Sequence, residues 1–150
     1  MPRYEASIVI ARPVSRVFAY MDDITREHEW QPHLVEAEQI PDGPTTVGTL
    51  KRYVSEFMGK KLRNTYVVQA YEPDRRVVCE STEDSVLSAT TEIRWENAGG
   101  ATRVTMSMDG SASGPLRLVP ARVLEKKFAQ EVDGALERLK LRLEGAAGEC

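Results

Sequence analysis

Residues able to do chemistry are present in this chain, but few stand at spacings that would make a reactive site. His28 and His33 lie among Glu27, Glu29 and Trp30, and histidine is the natural acid, base or metal ligand near neutral pH. The two are separated by a predicted helix end and Pro32, whereas a zinc-binding HExxH needs its histidines one helical turn apart on one face. They read as solvated polar residues. With no Cys-x-x-Cys and no other paired histidines, neither a metal nor a cofactor is expected. Glu80, Glu83 and Asp84 cluster at a predicted hairpin, Asp109 is expected to point outward, and no two carboxylates form a recognisable acid/base pair. Ser111 and Ser113 lack an adjacent base. There is no GxSxG, phosphate-binding loop or dinucleotide fingerprint. Gly110-Ser111-Ala112-Ser113-Gly114 reads as a lid near a cavity mouth or as a linker.

A second set of residues suits binding. Tyr53, Tyr66, Cys79, Trp95, Met106, Met108 and Phe128 are apolar or amphipathic. Methionine adapts to the shape of a ligand, and a tyrosine hydroxyl can orient a polar ligand atom. Large apolar residues are inside by default, so these seven either fill a core or line a pocket, and only if folding brings them to one surface.

The elements that would do so are legible. Tyr4–Ala11 is rich in β-branched residues and ends at Pro13, as a strand does. Val14, Val17, Phe18 and Met21 follow at helical spacing, and a second short helix is expected over Thr25–Glu29, stopped by Pro32. From His33 to Ser111, turn signals divide the chain into about six strands: Pro41-Asp42-Gly43-Pro44, Met58-Gly59-Lys60, Pro73-Asp74-Arg75, Glu83-Asp84-Ser85 and Asn97-Ala98-Gly99-Gly100. Ile93 and Trp95 alternate with Glu92, Arg94 and Glu96, and Val104, Met106 and Met108 with Arg103, Thr105 and Ser107, which means one buried face and one wet face. The cover for the buried face is the last segment, where Leu124, Phe128, Val132, Leu136, Leu139 and Leu143 form a helical stripe. That helix is expected to start at Leu116 or Pro120 and to stop before Gly145.

One strand resists assignment. Over Val47–Phe57, Tyr53 and Phe57 share a parity with Lys51, while Leu50 and Val54 share the other with Arg52 and Glu56. Either choice brings a charge near the interior, which is costly without a partner. The strand is therefore expected at an edge or bulged, with both faces partly wet.

Composition narrows the classes. The 150 residues, 41% hydrophobic and 29% charged, suit one domain spanning 1–150, with a core of about 4–144. A net charge of -3, from 20 basic and 23 acidic residues, leaves no basic footprint for nucleic acid. The cluster Lys60, Lys61 and Arg63 reads as a charged hairpin end. No apolar stretch is long enough to span a bilayer, no signal-peptide h-region is seen, and a cytoplasmic location is expected. Cys79 and Cys150 are not expected to form a disulfide.

The order strand, two short helices, about six antiparallel strands and one long helix resembles the START-like (SRPBCC) superfamily, which includes the polyketide cyclase/dehydrase and lipid-transport proteins. The resembling marks are Arg12-Pro13-Val14 with Val17-Phe18-Ala19-Tyr20; Asp23 followed by Trp30-Gln31-Pro32; Gly43-Pro44 before Val47-Gly48-Thr49; Tyr71-Glu72-Pro73 before Arg75-Arg76-Val77; Gly100-Ala101-Thr102-Arg103-Val104, where many relatives have Gly-Thr directly; and Leu139-Lys140 with Leu143-Glu144. The resemblance implies an α+β helix-grip fold, with a curved antiparallel sheet of about seven strands around the C-terminal helix and two short helices after the first strand. It implies that Trp30 closes one end of the fold, and that the seven residues above line a real cavity rather than filling a core. It names no reaction, since fold alone is a weak guide to function. Three readings stand: a module that binds a small hydrophobic or amphipathic molecule; a polyketide cyclase/aromatase-like enzyme using the same cavity, with Tyr53, Tyr66 and Arg52 contributing if they face inward; and a protein-interaction domain with a filled core.

Overall fold

In a computed structural model, residues 3–57, 59–112 and 118–145 are described, Phe57, Ser111 and Ala112 by their backbone alone. The chain runs β1 (Arg3–Ile10), α1 (Val14–Asp22), a 3₁₀ helix (Ile24–Glu29), β2 (Leu34–Ile40), β3 (Leu50–Phe57), β4 (Lys60–Glu72), β5 (Arg76–Ser81), β6 (Leu87–Ala98), β7 (Ala101–Ala112) and α2 (Ala121–Gly145). The seven strands form one sheet in the order β1-β7-β6-β5-β4-β3-β2, and every neighbouring pair is antiparallel. This is the α+β helix-grip architecture expected from the sequence.

Local chemistry accounts for most of the boundaries. Gly99 and Gly100 both have positive φ, 66° and 91°, and join β6 to β7 in a two-residue hairpin whose twist suits the flanking strands. Register shifts at Leu34/Glu36 in β2 and Val68/Ala70 in β4 bend the strands and curl the sheet. Across the resulting concave face lies α2, whose 25 residues reach about 37 Å at about 1.5 Å per residue. Its buried stripe is Leu124, Phe128, Val132, Ala135, Leu136, Leu139 and Leu143. The other end of the core is closed by α1 through Val17, Phe18 and Met21. Phe18 stands edge-on to Trp95, with centroids 4.8 Å apart and planes at 73°. The Trp95 indole N–H points to the Met21 sulfur at 3.3 Å.

The two ends of the chain are stitched together by hydrogen bonds. Thr102 Oγ1 donates to the Arg12 carbonyl at 2.8 Å. Arg12 Nη2 donates to the Glu144 carbonyl at 3.0 Å, and the Ala11 N–H donates to Glu144 Oε2 at 2.9 Å.

One open alternative is decided and two expectations change. The helix begins just after Pro120, whose carbonyl accepts from Val123 and Leu124 at 3.0 and 3.1 Å; the alternative start at Leu116 lies outside the described residues. It runs through Gly145 rather than stopping before it. The supposed lid or linker is different in kind, because Gly110 to Ala112 continue β7, while Ser113 and Gly114 lie outside the described residues. At Gly110 the β6 backbone leaves no room for a side chain: a Cβ there would sit 2.3 Å from the Ser88 carbonyl oxygen and 2.8 Å from Ala89 Cα, so close approach, not flexibility, explains the glycine. Cys79 is a free thiol, and Cys150 lies outside the described residues.

Leu139 is fully buried on the stripe that holds α2 to the sheet. Leu139→Ala is expected to cost about 2–5 kcal/mol, read as a lower urea midpoint with an unchanged slope. An unchanged midpoint would contradict the placement of α2. Gly110→Ala is expected to lower the midpoint as well, through the clash of the added Cβ with the Ser88 and Ala89 backbone rather than lost burial.

Candidate functional site

Between the concave sheet face and α2 lies a cavity of about 200 Å³. Its wall carries all seven residues singled out from the sequence: Tyr53 from β3, Tyr66 from β4, Cys79 from β5, Trp95 from β6, Met106 and Met108 from β7, and Phe128 from α2. The strand pattern explains this. Ladder partners such as Thr91 with Met108, Ile93 with Met106 and Trp95 with Val104 put every second residue of β6 and β7 on the inner side. Tyr53 and Tyr66 face each other obliquely, with ring centroids 5.9 Å apart. Burial pushes the Tyr66 hydroxyl up to about 12 and the Cys79 thiol up to about 11, so both are neutral at physiological pH.

β3 departs from expectation. It lies between β2 and β4, so it is not an edge. Its ladder to β4 runs without a shift from Leu50↔Val67 to Phe57↔Lys60, and the bulge in its pairing with β2 falls between Leu34 and Glu36 on the other strand. Both faces are partly exposed, as expected, with Tyr53 and Ser55 on one and Arg52 and Val54 on the other all half-buried, but the inward parity is plain. Lys51, Tyr53 and Ser55 line the cavity, and Lys51 is only 6% exposed. Arg52 points outward, its Nη1 3.2 Å from Glu38 Oε1, which removes it from any part in cavity chemistry. The charge that had to be placed somewhere is therefore Lys51, inside.

The reason an inward lysine is tolerated comes from another element. Asp23 caps the 3₁₀ helix by accepting from the Thr25 N–H at 3.0 Å, and this short turn buries Glu27, 4% exposed, against the cavity wall. Burial pushes the Glu27 carboxyl above its ordinary 4.5, while the Lys51 ammonium, the Tyr53 hydroxyl and Gln31 pull it back. Gln31 Nε2 donates to Glu27 Oε2, but Oε1 has no hydrogen-bond partner, and neither does the Trp30 indole N–H. Burial and the nearby Glu27 raise the Tyr53 hydroxyl well above its usual range. One part of the wall is thus a buried polar cluster of Glu27, Trp30, Lys51 and Tyr53, and the rest is largely apolar.

Comparison with known proteins agrees with this architecture. The family described as "Polyketide cyclase / dehydrase and lipid transport" matches residues 1–144. The chain belongs to that family. Among solved structures, a protein from Thermus thermophilus superposes with a TM-score of 0.80 at 21% identity, covering 97% of this chain and 99% of that one. A START superfamily protein from Mycobacterium smegmatis gives 0.80 at 14% identity, covering 97% and 99%. The di-domain ARO/CYC StfQ of the steffimycin biosynthetic pathway gives 0.77 at 14% identity, covering 98% of this chain and 52% of that one. At such identities the likeness is one of fold. No curated protein matches the chain.

Within this polyketide cyclase/dehydrase-family fold, several residues play parts that sequence reasoning did not assign. Trp30, expected only to close one end, is fully buried and also lines the cavity. Glu27 was missed altogether, because it sits between exposed Arg26 and His28 in a turn too short to show periodicity. Lys51 was visible as a problem of parity but not as a site. His28 is exposed, and His33 Nε2 lies at the surface, 3.7 Å from Glu131 Oε1. Among the described residues, no group of three or more His, Cys, Asp and Glu could hold a metal ion, and no helix is long and apolar enough to cross a membrane.

The raised Glu27 carboxyl links stability to pH. A folded-state pKa above the unfolded 4.5 means that the native state holds the proton longer, so this contribution is complete below about pH 4.5 and is lost as pH rises through the folded value. Glu27→Gln removes it. The melting temperature of the variant relative to wild type is expected to climb as pH is raised from about 4.5 toward 8; a difference that stays flat across that range would contradict the burial of Glu27.

Proposed function

We propose that this protein binds a small amphipathic molecule in the cavity between the sheet and α2. The observation that carries the reading is the cavity itself: about 200 Å³ of space in the place where a domain of this size would otherwise bury a continuous core. Ligand sites are typically concave and mostly apolar, with a few convergent polar groups, and the wall here has that make-up. Its volume is below the roughly 300–1,000 Å³ that drug-sized ligands occupy, which favours a compact ligand of one or two rings or a short chain. Burial of apolar ligand surface contributes about 25 cal/mol per Å² before the costs of association, so the cavity needs no reaction to be useful. Unfilled space also weighs against an interaction domain with a solid core.

A cyclase/aromatase-like reaction in the same cavity is favoured by one specific feature. Glu27, on whose carboxyl the Tyr53 hydroxyl and the Lys51 ammonium both act, forms with Tyr53 an inward acid–base set able to move a proton on a substrate held in a bent geometry. The di-domain ARO/CYC relative has the same fold, which makes that chemistry compatible with the scaffold without assigning it here.

Native mass spectrometry of protein purified gently from its own host, compared with a denatured sample, is expected to reveal a discrete mass released on denaturation. In parallel, fluorescence titration with the neutral probe 2-naphthamide is expected to saturate at one site. Ala135 lines the cavity and is buried, so Ala135→Leu, which fills the space, is expected to weaken that binding by about tenfold or more while circular dichroism is retained. Unchanged probe affinity in a folded Ala135→Leu variant would sink the reading.

A further inference from the structure

Lys51 is the anomaly of the cavity wall. It is 6% exposed, lies on the inward parity of β3, and among the described residues its ammonium makes no hydrogen bond or ion pair. Glu27 acts on it electrostatically without a contact, and Glu27 is an imperfect counter-charge because its own burial favours the neutral acid. The other carboxylates along this wall are committed or wet. Asp22 Oδ2 accepts from the Tyr71 hydroxyl at 2.7 Å, Glu131 faces His33, and Glu56 is exposed. A buried cation without a contact partner is costly. The same corner holds the Tyr53 hydroxyl, and on the adjoining turn the Trp30 N–H has no partner. The corner thus supplies a cation and neutral donors, and the one carboxyl among them, Glu27, is pushed toward its neutral form by burial.

We propose that the cavity's ligand is an amphipathic acid whose anionic oxygen head, a carboxylate or an enolate, sits against Lys51 Nζ while its apolar body lies along the sulfur and aromatic wall of Met106, Met108 and Phe128. This rests on the cavity-binding reading and specifies its substrate class. An anionic head completes the ion pair that Lys51 lacks, and charge-assisted hydrogen bonds of this kind are the strong ones. Lysine provides a compact point charge rather than a fixed fork, which accommodates a head of variable geometry, including an enolate oxygen. Glu27 is then the group with which the head competes, not a group that holds it.

The test compares 2-naphthoate with 2-naphthamide, which share a shape and differ in charge, by fluorescence titration at pH 7. Wild type is expected to bind the acid at least about tenfold more tightly than the amide. Lys51→Met is expected to abolish that preference while still binding the amide, which also shows that the variant is folded. Lys51→Arg is expected to retain most of the preference, and Glu27→Gln to keep it or enlarge it. Equal binding of the two probes by wild type, or a preference that survives Lys51→Met, overturns the proposal and leaves cavity binding standing. A preference lost in Glu27→Gln overturns it too, by assigning the head to the carboxyl. Failure of both probes to bind overturns both readings.

Discussion

The constraint on which this structure depends is that the concave face of a curled seven-stranded sheet must be shielded from water by one long helix, helped at one end by α1. One side of β4 to β7 is apolar, and α2 is the longest element able to cover it. Leu139 and Leu143 meet the closed end, in one buried cluster with Ile10, Val17 and Val104. Toward Phe128 and Val132 the separation of sheet and helix exceeds what Tyr66, Cys79 and Met106 fill. Register shifts in β2 and β4 set the curl, and the curl sets how much space remains. The cavity is thus not carved into a finished core; it is the difference between the curvature of the sheet and the girth of one helix.

The same geometry explains the site's electrostatics. A cavity wall is part of the interior, so any polar group on it is desolvated and its titration is displaced. Cys79 and Tyr66 are displaced toward neutrality by burial, and Glu27 is pulled both ways, by burial and by Lys51. Side chains of opposite charge that approach without touching, in a place poor in water, form a poised arrangement rather than a structural salt bridge. Compare Arg76 on the outer face, which contacts both Glu92 and Glu72 in a solvated cluster of the kind that contributes little to function or stability.

Much of the fold was legible in the sequence, because its signals are local. The alternation of Ile93 and Trp95 with Glu92 and Arg94, the stripe from Leu124 to Leu143, and the Gly99-Gly100 turn each state their own conformation. The placement of Trp95, Met106, Met108 and Phe128 on one wall followed from parity and helical phase alone. Illegible features depend on partners far apart in sequence. Nothing near Glu27 announces that its turn will be pressed against β3, and the inward direction of Lys51 makes sense only once Glu27 is opposite. Gly110 misled for a similar reason: a glycine amid serines reads as a loose loop until the backbone of Ser88 and Ala89 is seen to occupy the place of its missing side chain.

The unfilled space beside α2 has a consequence for the protein's lifetime. A fold that leaves about 200 Å³ empty forgoes the dispersion contacts that a filled interior would gain, so the ligand-free chain is less resistant to unfolding than its helix and sheet content would suggest. A ligand of the proposed kind, binding the folded state and not the unfolded chain, would add about 2.7 kcal/mol to folding at a hundredfold excess over its dissociation constant. In a cell that degrades unfolded chains, a ligand of the proposed kind would then raise the steady-state amount of the protein as its own concentration rises, with no dedicated sensor or regulator required.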